Sequence, residues 1–310
     1  MKRFFLISMY VALSMLMPLS LWSQEDYAVV KDGTITFYYD NNKATRDGTI
    51  YDVTKEIVGG NPSWLNDNLK IAVFDDSFSD YTPTTAAWLF NGCSNLTEVK
   101  NLSNLNLSVA TDMSYMFAGC NSLESLDLSG LLTGNVKNMQ WLFYRCSGLK
   151  DINLQGLDTK SVESMYQMFA QCSGLEQLDL SSFNTSNVED MRNMFFNCTN
   201  LHTIYVGDGW TTLYVGNGSN MFMGCTKIIG GNGTTCDGIG ISTPIDETYA
   251  RVDTGDNPGY FTYKSYGTNI WNINNNNKET SNNYYSLDGK LILKPTKGIC
   301  IKNGKKVLVK

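Results

Sequence analysis

The chain is poor in the residues that most chemistry needs. It has one histidine, His202, in 310 residues. Histidine is the side chain that changes charge near neutral pH and the commonest metal ligand. A catalytic centre here would rest on carboxylates, hydroxyls or thiols instead, and His202 follows Leu201 at the edge of an expected strand, where a solvated role is expected. No Gly-x-Ser-x-Gly, His-Glu-x-x-His or Cys-x-x-Cys occurs, so the common hydrolase, metalloprotease and paired-thiol signatures are missing. No cysteine precedes Cys93, which excludes a lipid-modified cysteine behind an N-terminal leader. After residue 21 no stretch reaches the roughly 18 apolar residues of a membrane helix.

Positive charge is also scarce in the body of the chain. The first 23 residues carry +2 and residues 287–310 carry +6, which leaves residues 24–286 at −14 within a net charge of −6. Nucleic-acid binding draws on clustered Lys and Arg that release counterions, so nucleic acid is not an expected partner. Apolar residues make up 42% of the chain, enough for a packed core. Residues 1–23 read as a signal peptide: Lys2 and Arg3, then an apolar stretch from Phe4 to Leu21 broken by Ser8, Ser14, Pro18 and Ser20, then Ser23. The expectation is an exported chain with no membrane span after cleavage.

What the chain does have is a ladder. Cys93, Cys120, Cys146, Cys172, Cys198 and Cys225 follow one another at 27, 26, 26, 26 and 27 residues. Phe90, Phe117, Phe143, Phe169, Phe195 and Phe222 stand three residues before them, and Leu96, Leu123, Leu149, Leu175, Leu201 and Ile228 three after. A fixed period in this range marks stacked supersecondary units that bury their core between neighbours. Within each unit Val188, Met191, Met194 and Phe195, echoed by Val162, Met165, Met168 and Phe169, follow the spacing of one helix face, which predicts a short helix. After the cysteine, Leu178 and Leu180 alternate with Gln177 and Asp179 at the period of a half-buried strand. A polar Ser/Thr/Asn turn such as 181–187 closes the unit.

The predicted fold is therefore an α/β leucine-rich-repeat solenoid over residues 83–230. Its curved parallel sheet lines the concave side, its short helices lie on the convex side, and small β-rich caps close both ends. The cysteines fall between inward Phe and inward Leu residues, which predicts reduced, buried thiols rather than a disulfide framework. Twelve residues form the expected repeat core: Phe90, Cys93, Phe117, Cys120, Phe143, Cys146, Phe169, Cys172, Phe195, Cys198, Phe222 and Cys225.

These units resemble the leucine-rich repeats of the BspA-type bacterial surface proteins, a family also seen in mycoplasma surface lipoproteins. The resemblance rests on Asp112-Met113-Ser114-Tyr115-Met116-Phe117 to Cys120, then Leu123 to Leu128, and their echoes. It implies a secreted or cell-surface protein on the outer-membrane exterior that binds a protein or glycan partner. The last segment, Leu287-Asp288-Gly289 through Pro295, Gly298-Ile299-Cys300-Ile301 and Lys305-Lys306 to Lys310, is similar to the C-terminal sorting tails of exported Bacteroidetes proteins, with Cys300 in place of the usual aromatic residue.

The flanks follow from turn chemistry. Residues 24–82 read as an N-terminal β cap with a hairpin about Asp32-Gly33, and residues 231–263 as a C-terminal cap. Residues 264–283 are an Asn-rich linker, and 284–310 a small basic module of three short strands. Gly230-Gly231-Asn232-Gly233-Thr234 lacks the Lys-Ser/Thr of a phosphate loop and reads as a tight turn.

Strand alternation names the outward residues: Glu98 and Lys100, Ser125 and Asp127, Asp151 and Asn153, Gln177 and Asp179, Thr203 and Tyr205. These form the expected binding face, with its strongest contact at Tyr205, since Tyr, Trp and Arg dominate interface energetics. Asp127, Asn153 and Asp179 offer oxygens of the kind calcium takes, but side chains projecting in parallel rarely supply six or more ligands. Neither a metal nor a cofactor is expected, and no catalytic residue is named.

Overall fold

The computed structural model describes residues 23–265 apart from 67 and 255, together with the backbone of 284–285, 291–292, 298–302 and 305–309. The segments read from the sequence as a signal peptide, 1–23, and as an Asn-rich linker, 264–283, lie almost wholly outside these residues. Among the described residues no helix is long and apolar enough to cross a membrane.

The chain begins with a hairpin. β1 (Glu25–Lys31) and β2 (Thr34–Asp40) pair antiparallel through Asp32 and Gly33, both at positive φ (50° and 76°), as a tight two-residue turn requires. β3 (Thr49–Asp52) lies on the far side of β1 and leads into α1 (Val53–Val58), whose N-cap Asp52 accepts from the Lys55 N–H. β4 (Ile71–Phe74) then pairs parallel with β2, and β5 (Glu98–Lys100) parallel with β4. The cap thus supplies the first rungs to which the coils add. Trp64, Phe37, Phe74 and Phe78 fill it, and Phe37 and Phe74 each meet Phe90 of the first coil edge-on.

From there each coil lies on the one before. β6 (Ser125–Asp127) pairs parallel with β7 (Asp151–Asn153), and β8 (Gln177–Leu180) with β9 (Thr203–Val206). β10 (Phe261–Tyr263), from the C-terminal cap, adds parallel to β9 and closes this row. Most of the described structure is β strand and turn; the coil strands pair in parallel, and no described sheet closes into a barrel.

The expected convex helices are not there. Among the described residues of 83–230 no α-helix occurs, and one three-residue 3-10 turn, Leu102–Asn104, is the only helical element. The segment from Met165 to Cys172 shows why. The N–H groups of Met165, Gln167, Phe169 and Gln171 donate to carbonyls of the next coil at 2.7–3.0 Å, while those of Met168, Ala170 and Cys172 turn back to residues three earlier. Gln167 and Gln171 take left-handed φ of 53° and 64°. A helix spends every donor inside itself, so it cannot also bond to a neighbouring coil. Alternating turns return Met165, Met168 and Phe169 to the core at helix-like spacing while leaving every second donor for the neighbour.

The same donor pattern joins all six coils, and isolated parallel bridges link Asp112, Asn138, Ser164, Asp190 and Asn217 in succession. The strand row, by contrast, falls into three sheets. The turn row, not the strand row, is the continuous hydrogen-bonded seam.

Three columns of side chains fix the corners. Asp127, Asn153 and Asp179 each accept the backbone N–H two residues on, at 2.9–3.1 Å. Asp112, Asn138 and Asp190 do the same at the second corner, and Asn106, Asp158 and Asn184 at the third. Buried Thr133, Thr159 and Thr185 donate their hydroxyls to carbonyls of the following coil.

Inside the coils Phe90, Phe117, Phe143, Phe169, Phe195 and Phe222 stack at centroid distances of 5.4, 6.0, 5.4, 6.0 and 5.6 Å. The six repeat cysteines are free and buried. From Cys120 onward each thiol donates to the carbonyl of the Phe in the preceding coil, at 2.8–3.3 Å. The ladder is a core seam.

The C-terminal cap is held by Asp253, which is buried and accepts from Asn232 N, Thr234 N, Thr234 Oγ1 and Gly259 N. Burial works against its charge, but these hydrogen bonds prevail and hold the carboxyl below its ordinary value. The glycine-rich turn therefore aims its donors at the protein's own carboxylate. In the last module β11 (Tyr284–Tyr285), β12 (Leu291–Ile292), β13 (Gly298–Lys302) and β14 (Lys305–Val309) form an antiparallel sheet in the order β12-β11-β13-β14, four strands where three were expected. The rest of residues 284–310, including much of the stretch whose sequence resembles a sorting tail, lies outside the described residues.

Candidate functional site

The ten residues expected to bind lie on the outer side of the strand row. Glu98, Lys100, Ser125, Asp127, Asp151, Asn153 and Gln177 are exposed, and Asp179, Thr203 and Tyr205 are half-buried. The alternation that sends Leu126, Leu178 and Ile204 inward sends these outward. The face nevertheless differs from the one the sequence suggests. Asp127, Asn153 and Asp179 turn one oxygen back onto their own backbone, so the recurrence of Asp or Asn there has a conformational cause. Asp127 is held below its ordinary carboxyl value, first by the Ser129 backbone N–H. Among the described residues no group of three His, Cys, Asp or Glu side chains is placed to hold a metal.

Tyr205 and Asp179 are not free either. Lys264, just past β10, pairs with Asp179 and sits 5.3 Å over the Tyr205 ring. Gln155 donates to the same carboxylate at 3.0 Å. Burial raises Asp179, yet Lys264 and Ser181 outweigh it and the net direction is down. The expected hot spot is thus a seam between the last strands and the C-terminal cap. Lys264→Met is expected to cost less than about 1 kcal/mol, as for other partly exposed ion pairs, while opening Tyr205 to solvent. Chemical denaturation and tyrosine-directed iodination read the two effects separately.

Beside the strand face runs a polar rim, in which Glu124 and Lys150 pair at 3.0 Å and Glu176 and His202 follow on the next coils. His202 Nδ1 lies 2.9 Å from Thr203 Oγ1. Its hydrogen-bond partner is thus the side chain of its own chain neighbour on the rim.

The helix expectation hid another set of side chains. In the turn row, the fifth residue before each cysteine takes a left-handed conformation and points outward: Trp88, Tyr115, Trp141, Gln167, Asn193 and Asn220, at φ of 53–68°. Trp88, Tyr115 and Trp141 stack on one another at 4.1 and 4.5 Å. Such pairs contribute roughly 0.5–1.5 kcal/mol each beyond burial, which offsets part of the strain of a bulky residue at positive φ. The signal was visible as an aromatic residue five before the cysteine in three consecutive units.

Comparison with known proteins bears on the same stretch of chain. A family model described as "Mycoplasma protein of unknown function, DUF285" matches residues 82–154 and, overlapping, 111–231. The coil region is similar to that family. Overlapping matches are what an array of equivalent coils allows. A solved structure of a leucine-rich repeat protein from Bacteroides ovatus shares 14% identity, covering 67% of this chain and 69% of its own, with a TM-score of 0.28. A search of curated proteins finds no match.

Proposed function

We propose that the chain is an exported bacterial surface protein that binds a macromolecular partner, in the manner of an adhesin, through the outside of a leucine-rich-repeat solenoid. The observation that carries this reading is the separation of roles within each coil. Phe, Met, Leu, Cys and the buried threonines face inward and are satisfied by neighbouring coils, while the outward side chains vary from coil to coil. Such a scaffold presents a changing surface on an unchanging frame, which suits recognition more than turnover. We take the chain to be non-enzymatic, with a protein or glycan at the cell surface as partner and no nucleic acid. The repeat resemblance and the family match over residues 82–231 support placement on the cell exterior. The basic tail at 287–310 would serve sorting or attachment.

The uninterrupted turn seam also suits a second reading, a stiff envelope component with no dedicated ligand. Two measurements divide them. A membrane-impermeant biotin reagent applied to intact cells is expected to label the chain. The purified chain is then expected to retain at least one species from arrays of matrix proteins and glycans. Labelling without any retention favours the envelope reading, and absence of labelling removes surface placement.

A further inference from the structure

The turn row carries a surface whose chemistry differs from that of the strand face. Its stacked rings continue beyond Trp141: Tyr166 meets Trp141 edge-on at 4.7 Å, and the Arg192 guanidinium lies 4.8 Å over Tyr166. Arg145 lies 5.0 Å over Tyr144 and donates to the Gln171 amide oxygen. Burial raises the Tyr115 hydroxyl, and the nearby phenols of Tyr166 and Tyr144 push it the same way, which places the three phenols together. A carboxylate in this network is Asp190, and Arg192 already holds it at 2.6 Å. The Arg145 side chain is exposed and makes no ion pair among those described.

The backbone does not demand aromatic residues here. Coils four to six put Gln167, Asn193 and Asn220 at the left-handed position, and Asn takes that conformation far more readily than Trp or Tyr. The first three coils accept the less suitable residues in succession. Trp, Tyr and Arg are the types that dominate the centres of protein interfaces. Within residues 24–286, which carry −14, this patch has a cation without a carboxylate partner.

The stacking also bears on the class of partner. A sugar ring stacks on an open aromatic face, but the faces of Trp88, Tyr115 and Trp141 are turned toward one another, and one face of Tyr166 is covered by Arg192. Apart from the face of Trp88 turned away from Tyr115, what remains outward in the stack is ring edge, the positive rim of the aromatic quadrupole, beside guanidinium and amide donors. Carboxylates and backbone carbonyls complement such a surface.

We infer that this aromatic row, rather than the strand face, is the docking surface, and that its partner is a protein that presents a carboxylate-rich segment. The inference rests on the reading of the chain as a binding scaffold. The test pans the immobilised full chain against phage-displayed random 15-residue peptides in low salt, with a glycan array run in parallel. Enrichment of Asp- and Glu-rich peptides is expected, with binding that weakens as salt rises. Trp141→Ala and Arg145→Glu are each expected to weaken the selected peptides at least ten-fold. Arg145 is exposed, so an unchanged thermal midpoint in R145E separates lost binding from lost folding. If binding survives both changes and disappears in Asp151→Asn with Gln177→Ala, the strand face is the site; this inference fails while the scaffold reading stands. Retention of glycans alone overturns the choice of a protein partner. Retention of neither class removes the scaffold reading and this inference with it.

Discussion

Raising the pH from 8 to 11 is expected to unfold the coil stack over a narrow interval near pH 10. Burial pushes the thiols of Cys93 and Cys146 from the ordinary 9.0 up to about 12, and it moves Cys120, Cys172 and Cys236 upward as well. Cys225 moves the same way, first through its contact with Cys198 and then through burial. The sign follows from which state keeps its protons. Below pH 9 folded and unfolded chains both hold them, and stability does not depend on these groups. Above it the unfolded thiols ionise while the folded ones do not, so the unfolded state binds fewer protons and stability falls until the folded values are reached. Each thiol contributes a slope of about 1.4 kcal/mol per pH unit. Six moving together give about 8 kcal/mol per pH unit, comparable with the roughly 5–15 kcal/mol by which a typical domain is folded. Tyr27 and Tyr81, each at about 12 and raised first by burial, act in the same direction at higher pH. Circular dichroism against pH measures the midpoint. Double replacement by Cys146→Ala and Cys172→Ala is expected to lower stability at pH 7, yet to flatten the alkaline slope by about a third. Stability that stays level between pH 9 and 11, or fewer than three free thiols in the unreduced, unfolded chain, would contradict a ladder of buried protonated thiols.

The ladder was legible because a residue that must face the core in every coil repeats without exception. The hairpin at Asp32-Gly33 was legible because positive φ at two successive residues restricts the sequence so tightly. The turn row was misread for a physical reason. Met165, Met168 and Phe169 report which residues face inward, and turns that alternate right- and left-handed residues return side chains at almost the spacing of a helix. Periodicity carries the inward face but not the destination of the N–H groups. The cue lay at the position five before the cysteine, where Asn193 and Asn220 are of the type that takes a left-handed conformation most readily. Asp127, Asn153 and Asp179 carry a second constraint that alternation does not report. Alternation correctly sends them outward, but an outward carboxylate that accepts its own backbone two residues on closes a corner before it meets any ligand. Lys264 over Tyr205 lay beyond any local pattern, because sequence spacing does not say that residue 264 follows a strand laid against β9.

Phe169→Ala should divide the stack in two. The ring is fully buried and stacks at 5.4 Å on Phe143 and 6.0 Å on Phe195. Truncating a buried Phe costs roughly 3–5 kcal/mol, and the two lost ring contacts come from two different coil interfaces. In an array whose units touch only their neighbours, stability is a sum of unit and interface contributions. A loss in the fourth coil therefore weakens the coupling between coils one to three and coils five and six, each of which keeps its own cap. The expected result is a lower urea midpoint together with two transitions in place of one. Tryptophan fluorescence can separate them, since Trp64, Trp88 and Trp141 precede the break and Trp210 follows it. Phe222→Ala makes the contrast. That ring meets Phe195, Tyr260 and Phe261 at 5.6, 5.0 and 5.8 Å, so its loss detaches the C-terminal cap from the last coil. It is expected to expose Trp210, which meets Phe261 edge-on at 5.1 Å, before the remaining coils unfold. Coincident fluorescence and circular-dichroism transitions in both variants would mean that the coils fold as one cooperative body, with coupling that reaches past nearest neighbours.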